Sequence, residues 1–527
     1  MIKEARSKNN KIGINVFFFF LFIYIFFMSG HMGGDSMFVY LTTESIIIDG
    51  NLVLNDHPER EFGIQEMKRV YDAVIGTNRK YSPYQLGEVI LQIPFFIIGY
   101  IFSLLYSGIP RDYITMFFTS MSNCFVTASL CFIFYKLLKL FSISDKISIL
   151  VTIALGLSTF IFAYSKQGFR EPLTCLCILI GTYYIVKYRM FHIEKYLLLS
   201  GIAIGSACFT RIDSIYVLPP FLLYILFIGN KREFVRKIVY FLSPIMFFII
   251  ITLIINYSFT KDFMEFGLGP GLYTYISFSP IDILFNFYGF FLSSGKSVFL
   301  YAPVTILFFF TISKFMREYK GEAIFFLAII IFNFFLYFSF KKVVMGGIFW
   351  GPRYQYAIIP FFLVPSIYYL QDSKIKRYIF IVLLVMGLFI QLPSILVNYS
   401  LVSHKFINEI ENKFESSISG EFNSFAYVVG FLPQYSPVLW GYYQLASAIN
   451  SSIGRESLKI PMDYFNIKDK TYISFELIDF WDIWFFNVFR IVKDNFIIKT
   501  LSVILVITLA FLILMLGLSL RKEFLIR

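Results

Sequence analysis

Val89-Ile-Leu-Gln-Ile-Pro-Phe-Phe-Ile-Ile-Gly-Tyr-Ile-Phe-Ser-Leu-Leu-Tyr106 is the stretch on which the reading of this chain turns. It carries no charge and has the length of a membrane-spanning helix, which needs roughly 17–25 apolar residues. If it spans, every later segment changes sides. Lys231-Arg232…Arg236-Lys237, Lys374…Lys376-Arg377 and Arg521-Lys522 then all face outward. Lys and Arg collect on the cytoplasmic side of membrane proteins, so that topology is opposed three times over. If the stretch lies along the outer interface, or dips in and out, the conflict disappears. The second arrangement is the expectation.

The rest of the topology follows. Lys3, Arg6, Lys8 and Lys11 precede the first apolar run, Val16–Met28, and set the N-terminus in the cytoplasm. That run exceeds a signal-peptide core, and no small-residue cleavage site precedes His31-Met32-Gly33, so it reads as a retained span. Further spans are expected near 113–138, 148–165, 172–187, 196–211, 214–229, 238–257, 298–313, 322–340, 355–371, 378–397 and 496–520. With the first they make an all-α polytopic membrane protein of about twelve helices. Cytoplasmic turns then hold Lys136/Lys139/Lys146, Lys187/Arg189/Lys195 and Lys314/Arg317/Lys320, and both termini are inside. Trp350, Trp440, Trp481 and Trp484 fall on the outer side, as interface anchors would. Residues 398–495 form a more polar outer segment, with Phe480–Phe486 expected to rest on the membrane surface.

Composition excludes the common alternatives. Hydrophobic residues make up 57% of the chain and charged residues 15%, with mean hydropathy +0.70; a soluble domain carries about 25% charged residues. The net charge of +12 sits in short clusters between apolar runs, which argues for cytoplasmic loops and against nucleic acid. Cys124, Cys131, Cys175, Cys177 and Cys208 all fall inside expected spans and read as small buried residues. No internal repeat or phosphate-binding glycine loop is present; Gly267-Leu-Gly-Pro-Gly271 lacks the following Lys-Ser/Thr.

On this topology several polar residues share the outer face. Asp35, in His31-Met-Gly-Gly-Asp35-Ser36, stands at the lip of the first span. Glu171, in Gly168-Phe-Arg-Glu-Pro172, lies in a short outer turn, where the plain alternative is a helix-start acid favoured by the macrodipole. Arg211 has Asp213 as a neutralising neighbour; Lys296 follows Ser293-Ser-Gly; Arg353 sits in Trp350-Gly-Pro-Arg353-Tyr354. Lys341 and Lys342 are read simply as side chains that snorkel to headgroups. Arg353 differs, because Gly, Trp and Pro fix the backbone around it, and fixed placement is what a phosphate-binding guanidinium needs. Acids and phosphate-seeking bases at an outer face suit one chemistry. A sugar on a lipid phosphate is attacked by an acceptor hydroxyl, a carboxylate handles the hydroxyl proton, and cations stabilise the departing phosphate.

The motif order resembles the GT-C superfamily of integral membrane glycosyltransferases, nearest the protein O-mannosyltransferase and lipid A aminoarabinose transferase branch. The matching pieces are Gly34-Asp35-Ser36, Leu41-Thr-Thr-Glu44 to Asp49-Gly50, Tyr81-Ser-Pro-Tyr-Gln-Leu-Gly87 and Pro94-Phe-Phe. They continue with Arg170-Glu171-Pro172, Thr210-Arg211, Ser294-Gly-Lys296, Tyr301-Ala-Pro303 and Trp350 to Tyr354, over about the first 400 residues. The resemblance implies a polyprenyl-phosphate sugar donor, with a glycan, lipid or protein as acceptor. It implies Asp35 and Glu171 as catalytic acids, Lys296, Arg353 and Arg211 near donor phosphate, and Tyr81, Tyr84, Trp350 and Tyr354 in the substrate pocket. It also implies interface helices in the first outer loop, which is where Val89–Tyr106 belongs. The site would face the periplasm from the inner membrane. The resemblance implies that residues 1–397 form the GT-C-like catalytic domain, with 398–495 as the outer segment and 496–527 as the last helix and cytoplasmic tail. Tyr81–Gly87 lacks the Glu-Lys-Pro run of aminoarabinose transferases, which leaves the sugar and a divalent metal ion open; no other cofactor is implied.

Three rival classes fit the sequence less well. A transporter would place charged or broken helices near mid-membrane, in related halves, whereas here ionisable residues gather at one face. An O-antigen ligase or polysaccharide polymerase would carry a large outer loop rich in Arg and His, but His404 is the one histidine of 398–495. A structural scaffold leaves the paired motifs unexplained.

Overall fold

The computed structural model describes residues 2–55, 62, 65–106, 108–228, 233–263, 276–339, 349–398, 433, 436–456, 459–460, 475–476, 481–492 and 495–525. Helices dominate because hydrocarbon leaves backbone polar groups no partners but one another. From the N-terminus run α1 (Ile2–Phe27), α2 (Asp35–Glu44), α3 (Gln65–Ile75), α4 (Gly87–Leu105), α5 (Arg111–Leu140), α6 (Asp145–Leu157), α7 (Ile161–Tyr164), α8 (Arg170–Phe191) and α9 (Lys195–Thr210). Then come α10 (Leu218–Ile228), α11 (Phe234–Thr260), α12 (Pro280–Phe291), α13 (Val298–Tyr301), α14 (Phe308–Glu318), α15 (Lys320–Phe338), α16 (Ile359–Leu363), α17 (Ile367–Asp372) and α18 (Lys374–Leu396). Helices Pro437–Ser452, Trp484–Ile491 and Phe496–Leu525 close the chain. Strand among the described residues is limited to Lys459–Ile460 paired antiparallel with Phe475–Glu476, apart from isolated bridges such as Val397 to Trp481.

Among the described residues, 8 helices are long and apolar enough to cross a membrane: α1, α4, α5, α8, α11, α15, α18 and Phe496–Leu525. Two shorter apolar stretches, Lys195–Thr210 and Ile212–Ile228, accompany them. Several of the spans expected from sequence are present as broken helices. The 298–313 and 355–371 stretches switch between α and 3-10 geometry where Pro303, Pro360 and Pro365 interrupt them. Proline lacks an N–H and its ring crowds the preceding turn. The second stretch is tolerated because Tyr356, Ile358, Phe361, Leu363 and Ile367 are buried in protein, not exposed to lipid. Val235, Val239, Phe247, Ile250 and Ile254 on α11 are exposed instead, an apolar band suited to lipid and not to water.

The stretch that decides the topology is helix α4, and its packing is one-sided. Gly99 lies against Thr115 and Phe118, Phe102 stacks on Phe118, and Phe95 meets Phe125. In these contacts α4 runs antiparallel to the first half of α5. The second half of α5 is covered by α1, with Gly13 against Phe132 and Tyr24 reaching Cys131. α4 begins with Gly87 packed on Thr210, the last residue of α9. It therefore starts where α9 stops, beside Arg211.

Two expectations are corrected. Asp482, Ile483 and Trp484 are buried, so the centre of Phe480–Phe486 is tucked inside and does not rest on a surface; Phe480 lies outside the described residues. Trp350 and Trp440 are buried as well, and packing, not interface anchoring, accounts for them. The cause is a partner that local sequence hides: Asp482 pairs with Lys166 and His31, far away in the chain. All five cysteines are free and buried. Lys341, Lys342, Gly267–Gly271, His404 and most of the 398–495 segment lie outside the described residues.

Candidate active site

Asp35 is delivered by a tight turn. Gly34 takes positive φ, +53°, and the Ser36 hydroxyl donates to the Gly33 carbonyl at 2.7 Å, so α2 opens directly on the carboxylate. Arg353 is delivered by another. Gly351 sits at φ +65°, where a Cβ would lie 2.9 Å from the Tyr301 ring. Pro352 follows, and Arg353 begins a 3-10 turn over Arg353–Ile358. Below that turn the Trp350 indole donates to Gln391 at 2.9 Å, and Tyr164 donates to the Trp350 carbonyl at 3.0 Å.

The two turns bring opposite charges together. Arg353 Nη1 donates to Asp35 Oδ2 at 2.7 Å. Arg353 Nε faces Glu171 Oε1 at 3.7 Å, too long for a hydrogen bond, and has no hydrogen-bond acceptor although buried. The guanidinium lies 4.3 Å over the Phe349 ring. Glu171 accepts from Arg211 Nη1 at 2.5 Å, and Arg211 grips Asp213 in a bidentate pair at 2.6 and 3.2 Å. Tyr337 donates to Asp213 at 2.5 Å and stacks on Tyr354. Asp35, Arg353, Glu171, Arg211 and Asp213 thus form one continuous ladder of alternating charge. Burial works to raise the Asp35 carboxyl, but the Arg353 charge and hydrogen bonds from Arg353 and Tyr84 outweigh it and hold it below the usual carboxylate range.

The candidate residues therefore divide. Asp35, Glu171, Arg211, Arg353 and Tyr354 share the ladder, and Tyr84 joins it through Asp35 while lying 3.8 Å under the Arg170 guanidinium. Glu171 sits in the first turn of α8, where the macrodipole favours an acid, and its carboxylate also meets two arginines. Lys296 is elsewhere. It is buried behind the Trp350 turn, donating to the carbonyls of Phe349 and Gly351, the latter at 3.2 Å. Burial first, and the Arg353 charge second, push its amine down to about 7. Tyr81 packs on Phe259 in a groove with Thr42 and Asn256, and Trp350 lines a separate cleft with Lys166 and Asp482. Both acids face guanidiniums, and among the described residues no three His, Cys, Asp or Glu side chains converge as metal ligands; the residues present do not fit a divalent ion.

A second buried cluster was not visible in sequence. Asp482 accepts from His31 Nε2 at 2.7 Å, from Lys166 at 3.1 Å and from Ser29 at 3.1 Å, and Lys166 also donates to the Ile395 carbonyl at 2.7 Å. Burial alone would raise Asp482, yet Lys166 and His31 hold it well below the usual carboxylate range. Each partner is isolated in the sequence, so no local motif announces the cluster.

Residues 116–255 match the family model described as dolichyl-phosphate-mannose-protein mannosyltransferase. Glu171 and Arg211 lie within the matched part; Asp35, Lys296 and Arg353 lie outside it. No curated protein matches the chain. Among solved structures, ArnT from Cupriavidus metallidurans bound to undecaprenyl phosphate is similar at 10% identity and TM-score 0.45, over 86% of this chain and 80% of that one. The same protein in the apo state is similar at 11% identity and TM-score 0.45, over 85% and 71%.

Proposed function

We propose that this chain is a GT-C-type glycosyltransferase that moves a sugar from a polyprenyl-phosphate donor to an acceptor hydroxyl at the outer face of the membrane. The observation that carries the reading is the half-used guanidinium of Arg353: Nη1 is held by Asp35, while Nε is buried without an acceptor. A phosphate brought to Arg353 satisfies the orphan donor and competes for Nη1, as planar guanidinium and tetrahedral oxyanion geometry favour. The family match over 116–255 supports the same reaction class, and it covers the acid–arginine pair Glu171–Arg211.

Asp35 then acts as base. Freed from Arg353, its carboxylate recovers basicity and takes the proton of the acceptor hydroxyl. The hydroxyl oxygen forms a bond to the anomeric carbon as the bond from that carbon to the phosphate oxygen breaks. The lipid phosphate leaves with the electron pair, and Arg353 stabilises the charge it gains. Arg211 is neutralised on both sides by Glu171 and Asp213, so its part is to hold Glu171 below Arg353. Lys296 is a support for the turn that carries Arg353. The basic clusters between the apolar runs favour an outward-facing site.

The test is transfer by the purified full-length protein in nanodiscs, using radiolabelled polyprenyl-phosphate sugars and membrane extract as acceptor. Labelled product that disappears in Arg353→Ala is expected. Absence of transfer with every lipid-phosphate sugar, together with unimpaired undecaprenyl-phosphate binding by Arg353→Ala, would overturn the proposal.

A further inference from the structure

The segment that leads to the proposed base is poorly able to hold itself. Gly30, Gly33 and Gly34 make up half of Ser29–Gly34, and glycine has more backbone freedom to lose than any other residue. Its restraint comes from the far end of the chain. The buried carboxylate of Asp482 accepts from Ser29 at 3.1 Å and from His31, which stands four residues before Asp35, at 2.7 Å. Nearby, Asn487 Nδ2 donates to the Ser29 carbonyl at 3.0 Å and Trp484 N to the Met28 carbonyl at 2.9 Å. The same carboxylate accepts at 3.1 Å from Lys166, which stands five residues before Glu171. The Gln167 amide lies 2.9 Å from where a Cβ on Gly33 would stand, so the two leads also touch. Both ends of the Lys166–Asp482 pair are moored to the close of α18. Asp482 N donates to the Leu396 carbonyl at 2.8 Å and Lys166 to the Ile395 carbonyl at 2.7 Å.

Resting on the glycosyltransferase reading, we infer that Asp482 is a positioning residue of the reaction: it grips the leads to Asp35 and Glu171 together and so sets the gap into which Arg353 fits. That gap is narrow, with Nη1 2.7 Å from Asp35 while Nε is 3.7 Å from Glu171. Stability alone does not call for charges here, since buried ion pairs exchanged for apolar residues of similar volume are often no less stable. Charge-assisted hydrogen bonds do what apolar contacts do not, which is to fix direction and distance. Two oxygens of one carboxylate serve three donors from two leads, so neither lead shifts without straining its bonds to Asp482. A displacement of about 1 Å caused far from the chemistry can cost on the order of 10²-fold in rate. The C-terminal part of the chain thereby enters the reaction geometry through Asp35 and Glu171.

The experiment uses the full-length protein in nanodiscs and the Lys166→Met/Asp482→Leu variant, which removes both charges together; Asp482→Asn is the second, milder variant. The first readout is the coupling between Asp35 and Arg353, from the melting temperatures of Asp35→Asn, Arg353→Ala and the two combined. The coupling should be present with Asp482 in place and fall by about half or more in the double variant, less in Asp482→Asn. The second readout is transfer. The kcat should drop by about 10–100-fold while KM for the lipid-phosphate sugar does not rise. That drop should vanish in Asp35→Asn protein, which has no base left to misplace. Tyr224→Phe removes a 2.8 Å bond to the buried Glu322, which meets Arg189 at the other end of α8, and controls for destabilisation as such. It should leave coupling and kcat in place. No coupling in wild type, or undiminished coupling in both Asp482 variants, overturns the inference. A normal kcat once the coupling is lost, or an equal effect of Tyr224→Phe, overturns it too. Coupling lost with no transfer by any protein, wild type included, upholds the positioning of Asp35 and counts against the glycosyltransferase reading alone.

Discussion

Asp35→Asn separates two effects that a simple loss of function would merge. Asparagine keeps the size and part of the hydrogen bonding of Asp35 but accepts no proton. If Asp35 is the base, turnover should fall by roughly 10²–10⁴. Binding should move the other way. Wild-type Arg353 must give up its 2.7 Å bond to Asp35 before it takes a phosphate, and a charged hydrogen bond contributes about 1.5–3 kcal/mol. The side chains are 11% and 24% exposed, so solvent screening brings the recovered energy toward the lower figure. That corresponds to about tenfold tighter binding of lipid phosphate. The assay pairs undecaprenyl-phosphate binding with transfer per inserted molecule, both in nanodiscs. Slow transfer with tighter binding is expected. Near-normal turnover refutes Asp35 as base, and weakened binding refutes the idea that it competes with the donor for Arg353.

Four further outcomes follow from the same geometry. Arg353→Lys keeps the charge and loses the fork, so lipid-phosphate affinity should drop by about tenfold or more in equilibrium binding. Lys296, lowered by burial to about 7 against an ordinary ~10.4, binds fewer protons folded than unfolded between those values. Its destabilising effect is complete below pH 7 and relieved as pH rises, so the melting temperature should climb from pH 7 to 10 in wild type and less in Lys296→Met. Asp482→Ala strands a buried ammonium and should cost about 3–5 kcal/mol, whereas Lys166→Met with Asp482→Leu should recover much of it in thermal melts. Single cysteines at Ser82 and Ser279 should react with an impermeant outside reagent and one at Ser373 should not; the reverse at Ser373 would make α4 a true span.

Residues announced by their own neighbours were legible before the structure. Asp35 follows Gly33-Gly34 and Arg353 follows Gly351-Pro352, residues that fix a turn, and Arg211 carries Asp213 two positions on; the placement of the first two and the pairing of the third were readable locally, the Asp35–Arg353 pair was not. Lys296 was legible as a fixed cation, but its target was not. Whether an ammonium meets a ligand or two backbone carbonyls depends on how the Trp350 turn folds over it. The Lys166–Asp482–His31 cluster was illegible for a stronger reason, since its members come from three distant segments and each reads alone as an ordinary outer-face residue. The apolar runs were legible as membrane helices, while the prolines that break 298–313 and 355–371 into short turns were read through as continuous spans.

On the proposed reading, the ladder also explains why a carboxylate held low by two neighbours can serve as a base at all. Asp35 in the unliganded site is paired with Arg353 and bonded by Tyr84, and in that state it is a poor proton acceptor. The donor's own phosphate changes that. By drawing Arg353 away it removes the positive charge that depresses Asp35, and it does so at the moment the sugar is in place. Glu171, which lies 3.7 Å from Nε and is itself bound to Arg211, is placed to hold the released guanidinium nearby. Basicity thus becomes conditional on donor binding. An activated base waiting in an empty outer site would gain nothing, whereas one created by the donor acts when an acceptor hydroxyl has something to attack. The arrangement needs three parts: a base, a guanidinium that exchanges its partner from a fixed backbone, and a second acid beside it. Asp35, Arg353 and Glu171 are those parts, which is why the Glu171–Arg211 pair belongs to the mechanism even though neither residue touches the Asp35 carboxylate.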